Sequence, residues 1–215
     1  MAKDKIFKHN MGKIFWDIKL HEDEKNPILI TSDPKNVIHD VKSVPNFCLR
    51  KRVYNMLVDA FQYLPKGCKF KVFEAYRPME EQIRKWNETE VEMKNKHPNL
   101  KGQKLIDLME VYIANPYTIG SGHQTGASID LTIYDTITKK EYDMGGKWRE
   151  NSEATMTYCT KLTPLQTRNR LILLNAMLRA GFTNYYEEWW HFCWGEQEWA
   201  IMTRNEGTHF LKLKK

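Results

Sequence analysis

Two stretches of this 215-residue chain carry side chains able to hold a metal ion and act on water. The first is Ser121-Gly122-His123-Gln124-Thr125-Gly126-Ala127-Ser128-Ile129-Asp130. The second, about sixty residues on, is Glu188-Trp189-Trp190-His191. Two imidazoles (His123, His191) and one carboxylate (Asp130) suffice for one zinc ion, with a fourth coordination position left for water. That is how catalytic zinc sites differ from closed structural ones. Glu188, three residues before His191, is placed to manage the proton of such a water. The pattern reads first as a zinc hydrolase holding one Zn2+ per chain.

Each residue also has a plainer reading. A His-x6-Asp pair alone could be a turn histidine beside an unrelated acid, and Glu188 could pair with a surface lysine. Trp189, Trp190 and Trp194 could be core packing or a pocket wall. On a regular strand the spacing of three would set Glu188 and His191 on opposite faces, so a bend or helical turn there is required.

The elements that must position these groups follow from periodicity. Apolar residues at Leu49, Val53, Met56, Leu57, Ala60, Phe61 and Leu64 mark one helix face, stopped by Pro65-Lys66-Gly67. Cys68, Phe70 and Val72 alternate with lysines as a half-buried strand leading into Tyr76-Arg77-Pro78. A charged helix is expected from Met79 to about Met93 and another from Leu105 to Tyr112, ended by Asn115-Pro116. Ile129, Leu131 and Ile133 share one strand face, with Asp130 and Thr132 on the other. Gly122 and Gly126 free the turn that folds His123 back toward Asp130. Thr163-Pro164 opens a helix through Leu171, Leu174, Met177 and Leu178, closed by Gly181, and Phe182 to Tyr186 reads as extended. Helices and strands come without steady alternation, which predicts an α+β fold: one domain over 1–215, with a central, mainly antiparallel sheet flanked by helices. Residues 1–45 read as an N-terminal extension packed on that domain, and 86–116 as a lysine-rich, lid-like excursion.

Composition narrows the partners. With 33 Lys and Arg against 27 Asp and Glu, the net charge of +6 is dispersed, and the only dense basic cluster is Lys212-Leu213-Lys214-Lys215. A solvated surface is expected rather than a nucleic-acid groove. Ile14-Phe15-Trp16 is interrupted at once by Asp17, so no membrane partner and no leader are expected and cytoplasm is the default, unless a leader was removed. Cys48, Cys68, Cys159 and Cys193 form no Cys-x-x-Cys pair and read as buried thiols. His9, His21, His39, His97 and His209 lack partners at ligand spacing.

Ser-x-His-x-x-Gly-x-x-x-Asp, followed by Glu-Trp-Trp-His and preceded by Tyr-Arg-Pro, resembles the D-alanyl-D-alanine dipeptidases of the vancomycin-resistance (VanX) type. These belong to a wider group of zinc D,D-peptidases that share an α+β, Hedgehog-like fold. The similarity runs from about Asn46 to about Trp194. It implies zinc on His123, Asp130 and His191, with Glu188 as general base and acid. Arg77 would meet the substrate carbonyl as negative charge grows on it. Ser121, Asp143, Arg149, Trp189 and Trp190 would touch a short peptide substrate, most simply D-Ala-D-Ala. A murein stem-peptide endo- or carboxypeptidase and a non-catalytic zinc-binding module are the alternatives.

The chain departs from this pattern in three places. Where the family continues from Asp143-Met144-Gly145 toward a Phe-Asp pair that helps receive the dipeptide amino group, this chain reads Gly146-Lys147-Trp148-Arg149. A cation at Arg149 would repel an ammonium and attract a carboxylate, with Asp143 left to compensate. Ser128 stands in place of an alanine, and the segment around Pro45-Asn46-Phe47-Cys48 is shorter than in the family.

Overall fold

Alternating apolar residues build the sheet that carries the site. The computed structural model describes residues 19, 21–23, 28–30, 37–39, 47–150 and 152–213. Most of the expected 1–45 extension, with His9 and Ile14-Phe15-Trp16, lies outside the described residues, as do Pro45-Asn46 and the Lys214-Lys215 end of the basic tail.

The first half of the chain supplies three short strands, Ile28–Ile30 (β1), Val37–His39 (β2) and Cys48–Arg50 (β3), then helix Lys51–Ala60 (α1) and strand Cys68–Glu74 (β4). Helices Met79–Lys96 (α2) and Gln103–Met109 (α3) follow, and then strands Ser128–Asp135 (β5) and Lys140–Glu141 (β6). Helix Pro164–Arg179 (α4), strands Thr183–Asn184 (β7) and His191–Cys193 (β8) and helix Gln197–Met202 (α5) complete the order. The main sheet runs β2-β4-β5-β8-β7, with β6 paired to β5. Among the described residues of this sheet only the β2–β4 pairing is parallel; the others are antiparallel. This is the mixed α+β architecture expected from the sequence.

On one face of the sheet Phe70 and Val72 of β4, Ile129, Leu131 and Ile133 of β5, and Phe192 of β8 are fully buried against α1 and α4. Burial of this face is the main stabilising term of the domain. The opposite face carries the polar row. Asp130 pairs with His191 across β5–β8, and with Glu74 across β4–β5. Strict alternation from Val72 would have pointed Glu74 into the apolar face. A bulge between Val72 and Glu74 inserts one extra residue and turns Glu74 to the side of Asp130. Three consecutive strands therefore present Glu74, Asp130 and His191 side by side.

Two elements differ from their sequence reading. Leu49 belongs to β3, and α1 starts at Lys51, with Val53, Met56, Leu57 and Ala60 on its buried face. In α4, Leu171 and Leu178 are exposed, and the buried stripe is Asn169, Arg170, Leu173, Leu174, Ala176 and Met177. Arg170 is buried because its guanidinium has work inside: it donates to the carbonyls of Met144 (2.6 Å), Ala154 (2.5 Å) and Met156 (2.5 Å). Asn169 donates to the carbonyl of Asp143 at 2.9 Å. Together they clamp the loop that carries Trp148 and Arg149. The start of α4 is as expected, with Thr163 and Gln166 forming a capping box and Pro164 in the first turn.

α2 and α3 pack against each other over a small core of their own, Trp86, Met93, Leu105 and Met109. This hairpin is tied to the site by Gln82, whose amide donates to Ala114 O at 2.6 Å while its oxygen accepts from Arg77. All four cysteines are free thiols, Cys159 being half-buried and the other three buried. Among the described residues no helix is long and apolar enough to cross a membrane.

Candidate metal centre and active site

His123 sits in a one-turn 3-10 helix, Gly122–Thr125, capped by Ser121, whose hydroxyl accepts from His123 N at 3.3 Å while Ser121 N donates to Gln124 Oε1 at 3.0 Å. Ser121 is thus placed as the cap of the histidine turn. Gly126 ends the turn in the left-handed region at φ +72°, which favours glycine. Gly122 is required by crowding: a Cβ there would lie 2.3 Å from Ser128 Oγ and 2.8 Å from Glu196 Oε2. The sharp turn sets His123 over the start of β5.

The three ligand candidates converge. Asp130 Oδ1 lies 3.2 Å from His123 Nε2 and 2.9 Å from His191 Nδ1, and all three side chains are buried. The edges of a tetrahedron with bonds of about 2.0 Å measure about 3.3 Å. The donor set and its spacing therefore fit a tetrahedral divalent cation held by two nitrogens and one oxygen. The outer atoms of two of the ligands are fixed. His123 Nδ1 is 2.8 Å from Ala75 O; since a carbonyl only accepts, Nδ1 carries the proton and Nε2 keeps its lone pair for the site. Asp130 Oδ2 accepts the indole N–H of Trp148 at 2.9 Å, which leaves Oδ1 for the shared position. Burial alone would raise the carboxyl pKa of Asp130, but the facing His123 and His191 hold it well below the usual range. Burial pulls the imidazole pKa of His191 down, yet Glu198 and Asp130 outweigh this and push it well above the ordinary value. A cation arriving at Nδ1 has to displace a proton, so its affinity should fall in acid.

Glu188 reaches the same place through a bend. His191 N donates to Glu188 O at 3.1 Å, a tight turn across Glu188-Trp189-Trp190-His191 that brings the two side chains to one side. Glu188 Oε2 is 4.0 Å from His191 Nδ1, and the side chain is 39% exposed, open to solvent where the ligands are not. Trp189 and Trp190 are buried in the main core, Trp189 donating to Gly146 O at 3.2 Å, and they stiffen the turn.

Arg77 N donates to His123 O at 3.0 Å, so the arginine and the histidine turn are joined through the backbone. Its buried guanidinium grips Glu74 with two bonds of 2.6 Å, from Nε and Nη2, and donates from Nη1 to Gln82 at 2.6 Å. Three of its five N–H groups are used by these bonds. Glu74 also accepts from Lys85 at 3.1 Å and from Arg149 at 2.5 Å. Burial works to raise its pKa, but Arg77, with smaller contributions from His123 and Arg149, keeps it well below the carboxylate range. Arg149 lies over Trp148 with its guanidinium carbon 4.2 Å from the ring centroid, in a left-handed backbone at φ +60°. Its charge is therefore partly matched by Glu74. Asp143 is engaged elsewhere: Oδ1 accepts from Gly145 N and Oδ2 from Gln166, each at 2.9 Å. Sequence reading missed Glu74, Gln82 and Glu198. Glu74 stands three residues before Arg77, and that spacing was the one available signal.

The Trp148 contact carries a testable consequence. Trp148→Phe keeps the stack on Phe73, whose ring centroid lies at 5.1 Å, but removes the N–H that holds Asp130 Oδ2. Loss of such an outer contact to a ligand typically weakens metal binding about 10-fold or more. Competition with a chromogenic chelator should show that weakening for zinc; unchanged affinity would mean the indole does not orient Asp130.

The family described as D-ala-D-ala dipeptidase (Peptidase_M15) matches residues 36–209. The chain belongs to this family. The match extends beyond the stretch in which the sequence motifs lie. The D-alanyl-D-alanine dipeptidase of Escherichia coli (strain K12) is 32% identical over 126 residues, 59% of this chain and 55% of the relative. That of Enterococcus faecalis is 30% identical over 96 residues, 45% of each chain. The chain thus aligns with about half the length of these relatives. Among solved structures, a mutant of the vancomycin-resistance D,D-pentapeptidase VanY in complex with Zn(II) is similar over 90% of this chain and 96% of its own, with a TM-score of 0.48 and 18% identity. At that level the likeness places no individual residue.

Proposed function

We propose that this protein is a zinc-dependent peptidase that hydrolyses a short D,D-peptide, D-alanyl-D-alanine in the first instance. The observation that carries the reading is the convergence of His123, Asp130 and His191 on one shared position with Glu188 Oε2 4.0 Å from His191 Nδ1. Family membership supports it, as do the names of the relatives. When bound, zinc supplies a Lewis acid that acidifies water and polarises a carbonyl.

The remaining tasks fall to this chain. Glu188, solvent-open and hinged on its turn, takes a proton from the attacking water and returns it to the leaving amine. Arg77, fixed by Glu74 and Gln82, aims its remaining N–H groups at the oxygen on which negative charge grows. Removing such a partner typically costs about 10²–10³ in rate. Trp148 and the Ala75 carbonyl hold the ligands in place. Gln82 of α2 joins Arg77 to the carbonyl of Ala114 just beyond α3, and a hairpin tied there would favour short substrates.

One observation favours a second reading, hydrolysis of murein stem peptides. Asp143 already accepts from Gly145 N and Gln166, while the cationic Arg149 is 44% exposed at the rim, where it would attract a substrate carboxylate. Both readings meet in one assay. Purified protein loaded with one zinc per chain should release D-alanine from free D-Ala-D-Ala, and His191→Ala should lose both metal and activity. Cleavage of muropeptides but not of the dipeptide selects the stem-peptide reading. Failure on both with zinc fully loaded removes the peptidase reading and leaves a zinc-binding module.

A further inference from the structure

We infer that Glu198 is a positioning residue that orients His191 for metal binding from the side away from the metal. The inference rests on the zinc reading given above.

His191 has two ring nitrogens, and only Nδ1 faces Asp130. Nε2 points the other way, to Glu198 Oε2 at 3.1 Å. Both atoms are shut off from water, and the Cys193 thiol also interacts with the ring. The contact is within hydrogen-bond distance although the ring N–H is off line, and a small turn of either group aligns it. A buried imidazole nitrogen and a buried carboxylate oxygen left unpaired would each carry a desolvation cost, so the pair is the arrangement that satisfies both. Binding a cation through Nδ1 requires the lone pair there and the proton on Nε2. A carboxylate that accepts from Nε2 fixes that tautomer and the ring plane together.

The carboxylate is itself held firmly. Glu198 lies in the first turn of α5, and the buried Glu196 caps that turn, its Oε2 accepting from Glu198 N at 3.0 Å and its Oε1 from Trp199 N at 2.8 Å. Trp199 packs on Trp194, ring centroids 5.4 Å apart, anchoring the helix. Glu198 thus does for His191 what the Ala75 carbonyl does for His123 and the Trp148 indole for Asp130. With it, every ligand of the set has a partner on its outer atom.

The test compares Glu198→Ala and Glu198→Gln with the parent chain for zinc affinity by chelator competition, zinc stoichiometry, the visible spectrum of the cobalt(II) form and the melting temperature of the metal-free protein. Glu198→Ala should bind zinc about 10–100-fold more weakly and alter the cobalt spectrum, a loss larger than any fall in the metal-free melting temperature accounts for. Glu198→Gln, which keeps an acceptor oxygen, should recover most of the affinity. Unaltered affinity in Glu198→Ala overturns the inference, as does a fall in metal-free melting temperature that accounts for the loss. A second zinc equivalent in the parent, taken by His191, Cys193 and Glu198 together, also overturns it, because Glu198 would then be a ligand. Failure of the parent chain to bind any zinc instead removes the functional reading on which the inference stands.

Discussion

Glu188→Gln is expected to reduce peptide hydrolysis by about 10²–10⁴-fold while zinc binding stays within a factor of a few of the parent. The amide keeps the size and rotamers of the carboxylate, so the turn built on the His191 N to Glu188 O bond is undisturbed. It loses the ability to take and return a proton. The candidate ligand set of His123, Asp130 and His191 does not need Glu188, whose Oε2 is 4.0 Å from His191 Nδ1. Metal content by atomic emission and D-alanine release on the same preparation decide the matter. Lost metal would make Glu188 a ligand; full activity with metal bound would place the proton-transfer group elsewhere. A drop in both kcat and kcat/KM by the same factor is the signature of a group that acts in the transition state alone.

The elements that follow from period and punctuation were legible in the chain. β4, β5 and α4 were visible in alternation, in Thr163-Pro164 and in Gly181, because in each case local preference and tertiary burial agree. His123, Asp130 and His191 were legible as a set, since few residue types bind zinc. What held those ligands was not legible, for a physical reason. Glu74 faces the site only because a bulge breaks the alternation that placed Cys68, Phe70 and Val72. Arg170 reads as a surface cation on a helix, yet it is buried to clamp three carbonyls of a loop well before it in sequence. Glu198 carries no motif at all; the capping of α5 by Glu196 brings it to His191. Arg149 stands out in the sequence as a change of charge, but its pairing with Glu74 across seventy-five positions depends on the fold. The first layer of the site is written in residue type and spacing, and the second in register and loop packing.

That second layer is the subject of the other large effect, Glu74→Gln, which is expected to destabilise the fold by about 3–5 kcal/mol. One carboxylate here accepts from Arg77 twice, from Lys85 and from Arg149, and both Glu74 and Arg77 are buried. The amide removes the charge that three cations share and turns an N–H2 toward N–H donors. The cost is therefore that of an uncompensated buried guanidinium, not of one lost bond. For a chain of this size each kcal/mol lowers the melting temperature by roughly 2–4 °C, so a fall of about 6–20 °C is expected in calorimetry. Removing Arg77 as well should return part of the loss, since the double variant no longer leaves the buried guanidinium without its carboxylate; simple additivity would contradict the coupling. The pH dependence has a defined sign. The folded-state pKa of Glu74 is depressed, so its stabilising contribution is present above the unfolded value of about 4.3 and is lost as pH falls below it. The parent should accordingly lose stability in that acid range more steeply than Glu74→Gln, which has no proton to take up at this position. Parallel acid limbs in the two proteins would mean that the Glu74 pair with Arg77 contributes nothing to holding the row of Glu74, Asp130 and His191 in register.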